Sequence, residues 1–502
     1  MTDLPDLGVG VMWFPDLDGL LARNEDAFDF YEVEPATMWL RRPNGRIDPS
    51  LDRLRRLANC GKPIILHDVS SPVGGTVGPD CAEIEALARA VAVAQPPWVS
   101  THLSINRLKD SSGASVPAGF LLPPLQTPEA VRTAAEGLRR LRRHQLQRPL
   151  AFETGVSYLR PRPGELPDGA FFAAVAAEAD CHILCDLHNL WCNQHNGRGP
   201  LEDVLEAMPP ERICELHLAG GVTTPDGFLL DAHAGPVDPP LLDVAVEVAE
   251  RLPALRAVTF EVMPDYVRAG ALDEDGLLSQ LHALRVVWQA RGTYARTEAA
   301  HPQSRSVGST EHRGEAAEAG ELWEHRLWSA LRGAAVSASD AVDPGFALYR
   351  HLIGTIRAGN VITVLPLSYR HLVVTMGLTG AEHLLHEYVD AHPVADSAQE
   401  EAAAFITYLE KFGTQVPHLD EVAAFEVAAL EALATGTEQA ATFSCDPIPL
   451  LGALRSGRHP PPADHGRHEV TVSPMTDVAQ ERSTLLDMDG SADPAPSTGG
   501  NP

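Results

Sequence analysis

Eight short runs rich in β-branched and aromatic residues punctuate the first 291 residues, and helical patterns alternate with them. The runs cover 8–13, 30–34, 63–68, 98–103, 149–154, 182–187, 213–219 and 257–262. Between them apolar residues recur three and four apart, as in Leu51, Leu54 and Leu57, in Ile84, Leu87 and Val91, and in Leu277, Leu281, Leu284 and Trp288. Thr127-Pro128 supplies an N-cap and first-turn proline for the helix carrying Val131, Leu138 and Leu141. Strands alternating with helices in this order predict an α/β fold, a (β/α)8 barrel of TIM type spanning 1–291. A doubly wound open sheet is the competing arrangement. It would more often carry a glycine-rich phosphate turn after the first strand, whereas Gly8 and Gly10 lie at the start of the first run.

The remainder of the chain changes character. Residues 292–320 are polar, small and aperiodic and read as a linker. From 321 to 457 the helical period returns, with Leu348, Leu352 and Ile356 on one face and Phe405, Tyr408, Leu409 and Phe412 clustered, so a mainly α-helical second domain is expected. The stretch 458–502 is rich in Pro, Ser, Asp and Gly and is expected to be a disordered tail.

Charge narrows the partners. Lys and Arg total 39 against 68 Asp and Glu, a formal net charge of -29. Nucleic acid and anionic membranes both attract Lys- and Arg-rich surfaces, so neither is expected as a partner. No apolar run is long enough to span a bilayer, and the N-terminus lacks the basic and apolar stretches of a signal peptide. The seven cysteines are scattered and form no C-x-x-C pair, which fits a reducing cytoplasm better than a disulfide framework. Nothing in the sequence speaks to oligomeric state.

In a (β/α)8 barrel the chemistry sits at the C-terminal ends of the strands. Strand three ends on His67-Asp68, strand four on Thr101-His102, strand five on Glu153-Thr154 and strand six on Asp186-Leu187-His188-Asn189. Strand seven carries His217, the following loop adds Asp231-Ala232-His233, and strand eight ends on Glu261. Taken singly, a strand-end histidine is more often a hydrogen-bonded structural residue, and an aspartate such as Asp68 more often a helix N-cap. Jointly, that many imidazoles and carboxylates in one mouth would bury mutually repelling charge unless a cation joined them. The candidate ligands are His67, His102, Glu153, Asp186, Asn189, His217, Asp231, His233 and Glu261. A set of imidazoles, carboxylates and one amide, without thiolate, suits iron, manganese or zinc. One ion with open positions uses three or four ligands, so nine imply two or three ions, with Glu153 or Glu261 as bridging carboxylates. Glu153, Asp186 and His217, on three successive strands, are assigned to the catalytic centre.

These motifs, in this order, resemble one family. They are His67 after an apolar strand, Val99-Ser100-Thr101-His102-Leu103, Glu153-Thr154-Gly155-Val156-Ser157-Tyr158-Leu159, Asp186-Leu187-His188-Asn189-Leu190, His217-Leu218-Ala219-Gly220-Gly221, Asp231-Ala232-His233 with Pro236-Val237, and Glu261. Residues 1–291 thereby resemble the multinuclear non-heme iron-dependent oxidases. The resemblance implies two or three irons per chain, and oxidation by dioxygen of cysteine residues in a ribosomally synthesised precursor peptide. This chain departs from the family pattern at His188, where an asparagine is usual, at Glu34-Pro35 in place of Glu-Asn, and at Val262 in place of arginine. His188 therefore competes with Asn189 as a ligand.

The second domain resembles, more weakly, the helical partner proteins encoded beside these oxidases. The matching residues run from Leu348-Tyr349-Arg350 and Leu365-Pro366 through His392-Pro393, Phe405-Ile406-Thr407-Tyr408-Leu409, Val416-Pro417-His418-Leu419 and Phe425-Glu426 to Cys445-Asp446-Pro447. That resemblance implies a domain that holds the precursor peptide near the barrel. Two rival functions follow from the residues alone. One is a divalent-metal-dependent barrel hydrolase or sugar isomerase. The other is a non-catalytic metal- or peptide-binding scaffold whose ions are saturated by protein ligands.

Overall fold

The computed structural model describes residues 4–41, 46–49, 51–143, 148–293, 313–332, 343–412, 416–462 and 465–473. Eight parallel strands close into a barrel: β1 (Gly8–Trp13), β2 (Phe30–Val33), β3 (Ile64–Asp68), β4 (Val99–His102), β5 (Leu150–Glu153), β6 (His182–Asp186), β7 (Ile213–Ala219) and β8 (Ala257–Glu261). Each strand pairs with its neighbours in chain order, and β8 returns to β1. Strands buried on both faces carry nearly continuous apolar runs, and these are no exception: every residue of β1, β3, β5, β7 and β8 is buried. The expected (β/α)8 architecture is the one the chain adopts.

The barrel floor is sealed by Leu4, Phe30, Ile65, Trp98, Ala151, Leu184, Cys214 and Ala257. Gly10 makes room there, because a Cβ at that position would fall 2.3 Å from the Phe30 ring. Outside the strands, helices lay their apolar stripes against the sheet. Ile84, Leu87 and Val91 lie in one, and Leu277, Leu281 and Leu284 in another. The register sets up the mouth. His102 lies opposite Glu153, and Asp186 lies opposite His217. Adjacent strands run about 4.8 Å apart, so such pairs are placed side by side before any side chain moves.

The chain divides into two compact units, 1–352 and 353–502. The sequence reading placed the start of the second domain at 321. Here the helix Arg313–Leu331 and the first residues of Pro344–Val364 fall in the barrel unit instead. Their apolar residues Trp323, Leu327, Phe346 and Tyr349 pack against an antiparallel hairpin, Ile105–Lys109 with Ser115–Leu122, and against Tyr158. Burial of that face, rather than the polar linker before it, decides where the segment belongs. Most of the expected linker, 294–312, lies outside the described residues.

The second unit is mainly helical. Pro366–Met376, Leu378–Ala391, Ala398–Phe412 and Leu419–Thr435 enclose a core containing Leu365, Leu385, Tyr388, Phe405 and Tyr408. Two strands, β9 (Gln439–Cys445) and β10 (His465–Val472), form an antiparallel pair flanking the helix Pro447–Arg455. Residues 465–472, expected to belong to a disordered tail, instead form the second strand of this pair. Val470 and Val472 alternate toward an apolar cluster with Phe443 and Leu454, a short period-two signal that the surrounding Pro and His residues mask. Residues 474–502 lie outside the described part of the chain. All seven cysteines are free. Among the described residues no helix is long and apolar enough to cross a membrane.

Candidate metal centre

The nine residues singled out from the sequence all converge on the C-terminal mouth of the barrel. His67, His102, Glu153, Asp186, His217 and Glu261 project from β3 to β8, one per strand. His67 Nε2 and His102 Nδ1 lie 3.1 and 2.9 Å from the same Glu153 oxygen, Oε2. Neither approach has hydrogen-bond geometry, so Glu153 Oε2 is buried without a hydrogen-bond partner among the described residues. Asp186 caps the helix Leu187–His195, accepting from Asn189 N with Oδ1 at 2.7 Å, and Oδ2 is left buried and unbonded. Asn189 donates from Nδ2 to Glu153 Oε1 at 2.9 Å and leaves Oδ1 buried and unbonded.

The other half of the mouth is built by β7, β8 and the loop between them. His217 Nδ1 lies 3.3 Å from Glu261 Oε1. His233 Nε2 lies 2.9 Å from Asp231 Oδ1 and 3.2 Å from Glu261 Oε2. His233 adopts φ +50°, a left-handed backbone uncommon outside glycine. Strain of that kind persists only where the surroundings over-determine it. Here Met263 N donates to His233 O, and Ala234 N donates to Gly220 O. Gly220 itself admits no side chain, since a Cβ there would lie 2.4 Å from Ala234 O.

Among the nine residues three overlapping triads result, His67/His102/Glu153, Glu153/Asp186/His217 and Asp186/His233/Glu261, each with ligand atoms within 4.8 Å of one another and joined through Glu153 and Asp186. A fourth, Glu32/Glu215/His217, joins them through His217. The sequence had offered Glu153 or Glu261 as bridges. Glu261 belongs to one triad and spans His217 and His233. His188 is buried but belongs to none of these triads. Its Nε2 lies 3.5 Å from Cys192 Sγ and 3.9 Å from Asp231 Oδ1. Asp68, read as a helix cap, instead closes a turn by accepting from Ser70 N and Oγ. The next helix, Cys81–Ala94, is capped by Asp80.

Two carboxylates escaped the sequence reading. Glu32 Oε2 lies 2.9 Å from His217 Nε2, and Glu215 Oε1 lies 3.7 Å from it. Glu215 is held from below by Trp98 Nε1 at 2.8 Å and Thr259 Oγ1 at 3.1 Å. The available signal was spacing: Glu32 stands two residues after the inward Phe30, and Glu215 two before His217, so both face the barrel interior. Glu34, two residues further along, is half-buried, and desolvation pushes its carboxyl up against the pull of the His67 imidazole.

Electrostatics separate these groups. Burial pushes the Asp186 carboxyl well up, and the carboxylates of Glu153, Asp231 and Glu261 add to it. Burial and Glu215 push Glu32 up to about 7, against the pull of His217. Burial opposes ionisation of Glu153 and Glu261, but the imidazoles win. His102 and His67 hold Glu153 well below the usual range, and His217 and His233 hold Glu261 at about 2. Burial works against charge on His67, yet Glu153 and Glu32 raise it to about 9. His217 and His233 are likewise raised, by Glu32 and Glu261 and by Asp231 and Glu261 respectively, against burial.

The residues present fit a multi-cation site. Glu153 Oε2, Asp186 Oδ2, Asn189 Oδ1, His217 Nδ1, Asp231 Oδ1, His233 Nε2 and Glu261 Oε2 are all buried with no hydrogen-bond partner among the described residues. An unsatisfied buried polar atom costs about 1–3 kcal/mol, so seven in one mouth call for a ligand of opposite character. Oxygen and nitrogen donors at these positions are those of iron, manganese or zinc.

A sequence profile described as RiPP precursor modification enzyme MbnB/TglH/ChrH matches residues 8–274. A UPF0276 protein of Streptomyces avermitilis is 30% identical over 301 residues, 59% of this chain and 58% of that protein. A second, from Anaeromyxobacter sp., is 32% identical over 226 residues, 44% of this chain and 76% of that protein. The match to the first of these thus spans less than two thirds of its length. Among solved structures, a D-psicose 3-epimerase is 14% identical with a TM-score of 0.38, covering 57% of this chain and 99% of that one. A likeness at that level carries no argument about activity.

Proposed function

From the premise that this chain belongs to the MbnB/TglH/ChrH family of RiPP precursor modification enzymes, we propose that it oxidises cysteine residues of a ribosomally synthesised precursor peptide, using iron and dioxygen. The observation that carries the proposal is the run of three triads joined by Glu153 and Asp186, with unbonded donor atoms turned into it. His67, His102, Glu153, Asp186, Asn189, His217, Asp231, His233 and Glu261 are the proposed ligands, and Glu32 orients His217 through Nε2. Iron held there supplies the electron exchange with dioxygen that side chains of this kind do not perform alone.

The chain's own residues prepare the site in three ways. Asp186 divides its two oxygens, one fixing Asn189 N and one facing the mouth. Asn189 orients Glu153 from the side away from the imidazoles. Trp98 and Thr259 anchor Glu215, which backs His217 from the barrel floor. Such surrounding partners hold ligands in place and tune their basicity.

The second unit is proposed to hold the precursor peptide, and carriage on one chain would raise the peptide's effective concentration at the barrel. The rival sugar isomerase would more typically set a catalytic lysine or histidine beside its metals, and the lysine version finds no support in the barrel. Lys62 Nζ instead donates to Phe28 O, and Lys109 pairs with Glu321.

The test is elemental analysis with Mössbauer spectroscopy on protein purified without oxygen. Two or three irons per chain, lost together in a Glu153→Ala/His217→Ala variant, are expected. Zinc or manganese at full occupancy that iron cannot replace would transfer the site to hydrolase or isomerase chemistry.

A further inference from the structure

The second unit carries a mixed cluster that the barrel chemistry does not use. His418 precedes the helix Leu419–Thr435, Glu421 lies in that helix's first turn, and Cys445 ends β9. His418 Nδ1 lies 3.0 Å from Glu421 Oε2, and the ligand atoms of His418, Glu421 and Cys445 all fall within 4.8 Å of one another. A tetrahedral zinc with bonds of about 2.0–2.3 Å sets its ligand atoms about 3–4 Å apart. The other Glu421 oxygen, Oε1, accepts from Ser444 N at 3.0 Å, which fixes the carboxylate as the surroundings of metal ligands commonly do. Cys445 is free and buried.

A second feature lies beside the cluster. A cavity of about 550 Å³ opens beside the cluster, lined by His418, Asp446, His459 and His371. His371 is only 3% exposed, and its Nδ1 is buried with no hydrogen-bond partner among the described residues. A core histidine kept only for packing ordinarily finds such a partner. His459 Nδ1 is occupied by Pro460 O at 3.0 Å.

We propose that His418, Glu421 and Cys445 bind a zinc-type divalent cation whose fourth coordination position faces the cavity lined by His371 and His459. Imidazole, carboxylate and thiolate together are a zinc-like donor set, distinct from the thiolate-free set proposed for the barrel. A cation there would tie the start of the Leu419–Thr435 helix to the end of β9, and would leave one position for water or a ligand from the cavity.

The difference in donors supplies the test. The full chain, stripped by chelation and titrated with cobalt(II), is expected to show a thiolate-to-cobalt charge-transfer band in the near ultraviolet. The band is expected to persist in Glu153→Ala/His217→Ala and to vanish in Cys445→Ser. Glu421→Gln preserves side-chain shape and an acceptor for Ser444 N, and is expected to weaken cobalt binding by at least about tenfold with unchanged far-ultraviolet circular dichroism. Absence of the band in the unaltered chain overturns the proposal. So does a band that survives Cys445→Ser or disappears with the barrel variant, since either would place the thiolate elsewhere. Unchanged cobalt affinity in Glu421→Gln also overturns the assigned ligand set.

Discussion

Removing metal from the barrel is expected to leave a protein that loses stability as pH rises, and restoring metal is expected to cancel that slope. Glu32 titrates at 4.5 when unfolded and at about 7 when folded. Between those values the folded chain keeps a proton that the unfolded chain has released, so rising pH favours unfolding. At about 1.4 kcal/mol per unit, the loss across that window is about 3 kcal/mol. His67 moves from 6.5 to about 9, and the sign is the same. Its stabilisation is complete below 6.5 and is lost as pH rises through 9, a further ~3 kcal/mol. Glu261 acts oppositely at the acid end. Held at about 2, it favours the folded state above 4.5 and loses that effect as pH falls. The stripped barrel is therefore expected to be most stable near pH 5, and to lose roughly 6 kcal/mol at most by pH 9 when the Glu32 and His67 contributions add. A bound divalent cation requires ionised carboxylates and neutral imidazoles, so its stabilisation grows with pH over the same range. Hydrogen exchange of peptides from β3, β7 and β8, with and without metal, isolates the barrel from the second unit. Equal protection of the stripped barrel at pH 5 and pH 9, corrected for intrinsic exchange, would refute the reasoning. So would a metal-dependent gain of the same size at both.

Three further outcomes follow from named contacts. Asp231 N donates to Tyr158 Oη at 3.0 Å, and Tyr158 N donates to Tyr349 Oη at 3.2 Å, so Tyr158→Phe frees the ligand loop while keeping its ring. About one metal equivalent is expected to bind roughly tenfold more weakly by isothermal titration, with the melting temperature lowered only slightly, since one hydrogen bond contributes about 1 kcal/mol. Gly220→Ala would press a methyl onto Ala234 O and Pro236 O and push the Asp231–His233 loop outward; metal content measured by elemental analysis should fall while far-ultraviolet circular dichroism stays unchanged. In the second unit, Arg357 binds Glu401 Oε1 through Nε and Nη2, and the carbonyls of Val389, His392 and Pro393; Arg357→Ala is expected to cost about 3–5 kcal/mol in urea unfolding of that unit, because Glu401 is left buried and charged.

Much of the barrel was legible because its signals are local. A parallel strand buried on both faces is a short apolar run, and every run placed from the sequence coincides with a barrel strand to within about a residue or two at its ends. The polar residues at strand ends were legible for the same reason, since chain order around a barrel is spatial order. Glu32 and Glu215 were not read as part of the centre, although their two-residue spacing carried the hint, because a carboxylate inside a strand gains its meaning only from what faces it across the lumen. The strand 465–472 was missed because its period-two pattern is short and set among prolines and histidines.

Chain order and alternation alone thus determined that this protein is a barrel and that His67, His102, Glu153, Asp186, His217 and Glu261 lie on one rim. Tertiary structure alone decided how they group. Glu153 and Asp186 became the shared carboxylates because strand register set His102 beside Glu153 and Asp186 beside His217. Asn189 rather than His188 met Glu153 because Asp186 caps the following helix and so fixes which turn residue faces inward. The helix Arg313–Leu331 and residues 344–352 joined the barrel unit because Trp323, Phe346 and Tyr349 find an apolar face there. Register, helix capping and burial each depend on contacts between residues far apart in the chain, and composition or periodicity read along one strand at a time does not contain them.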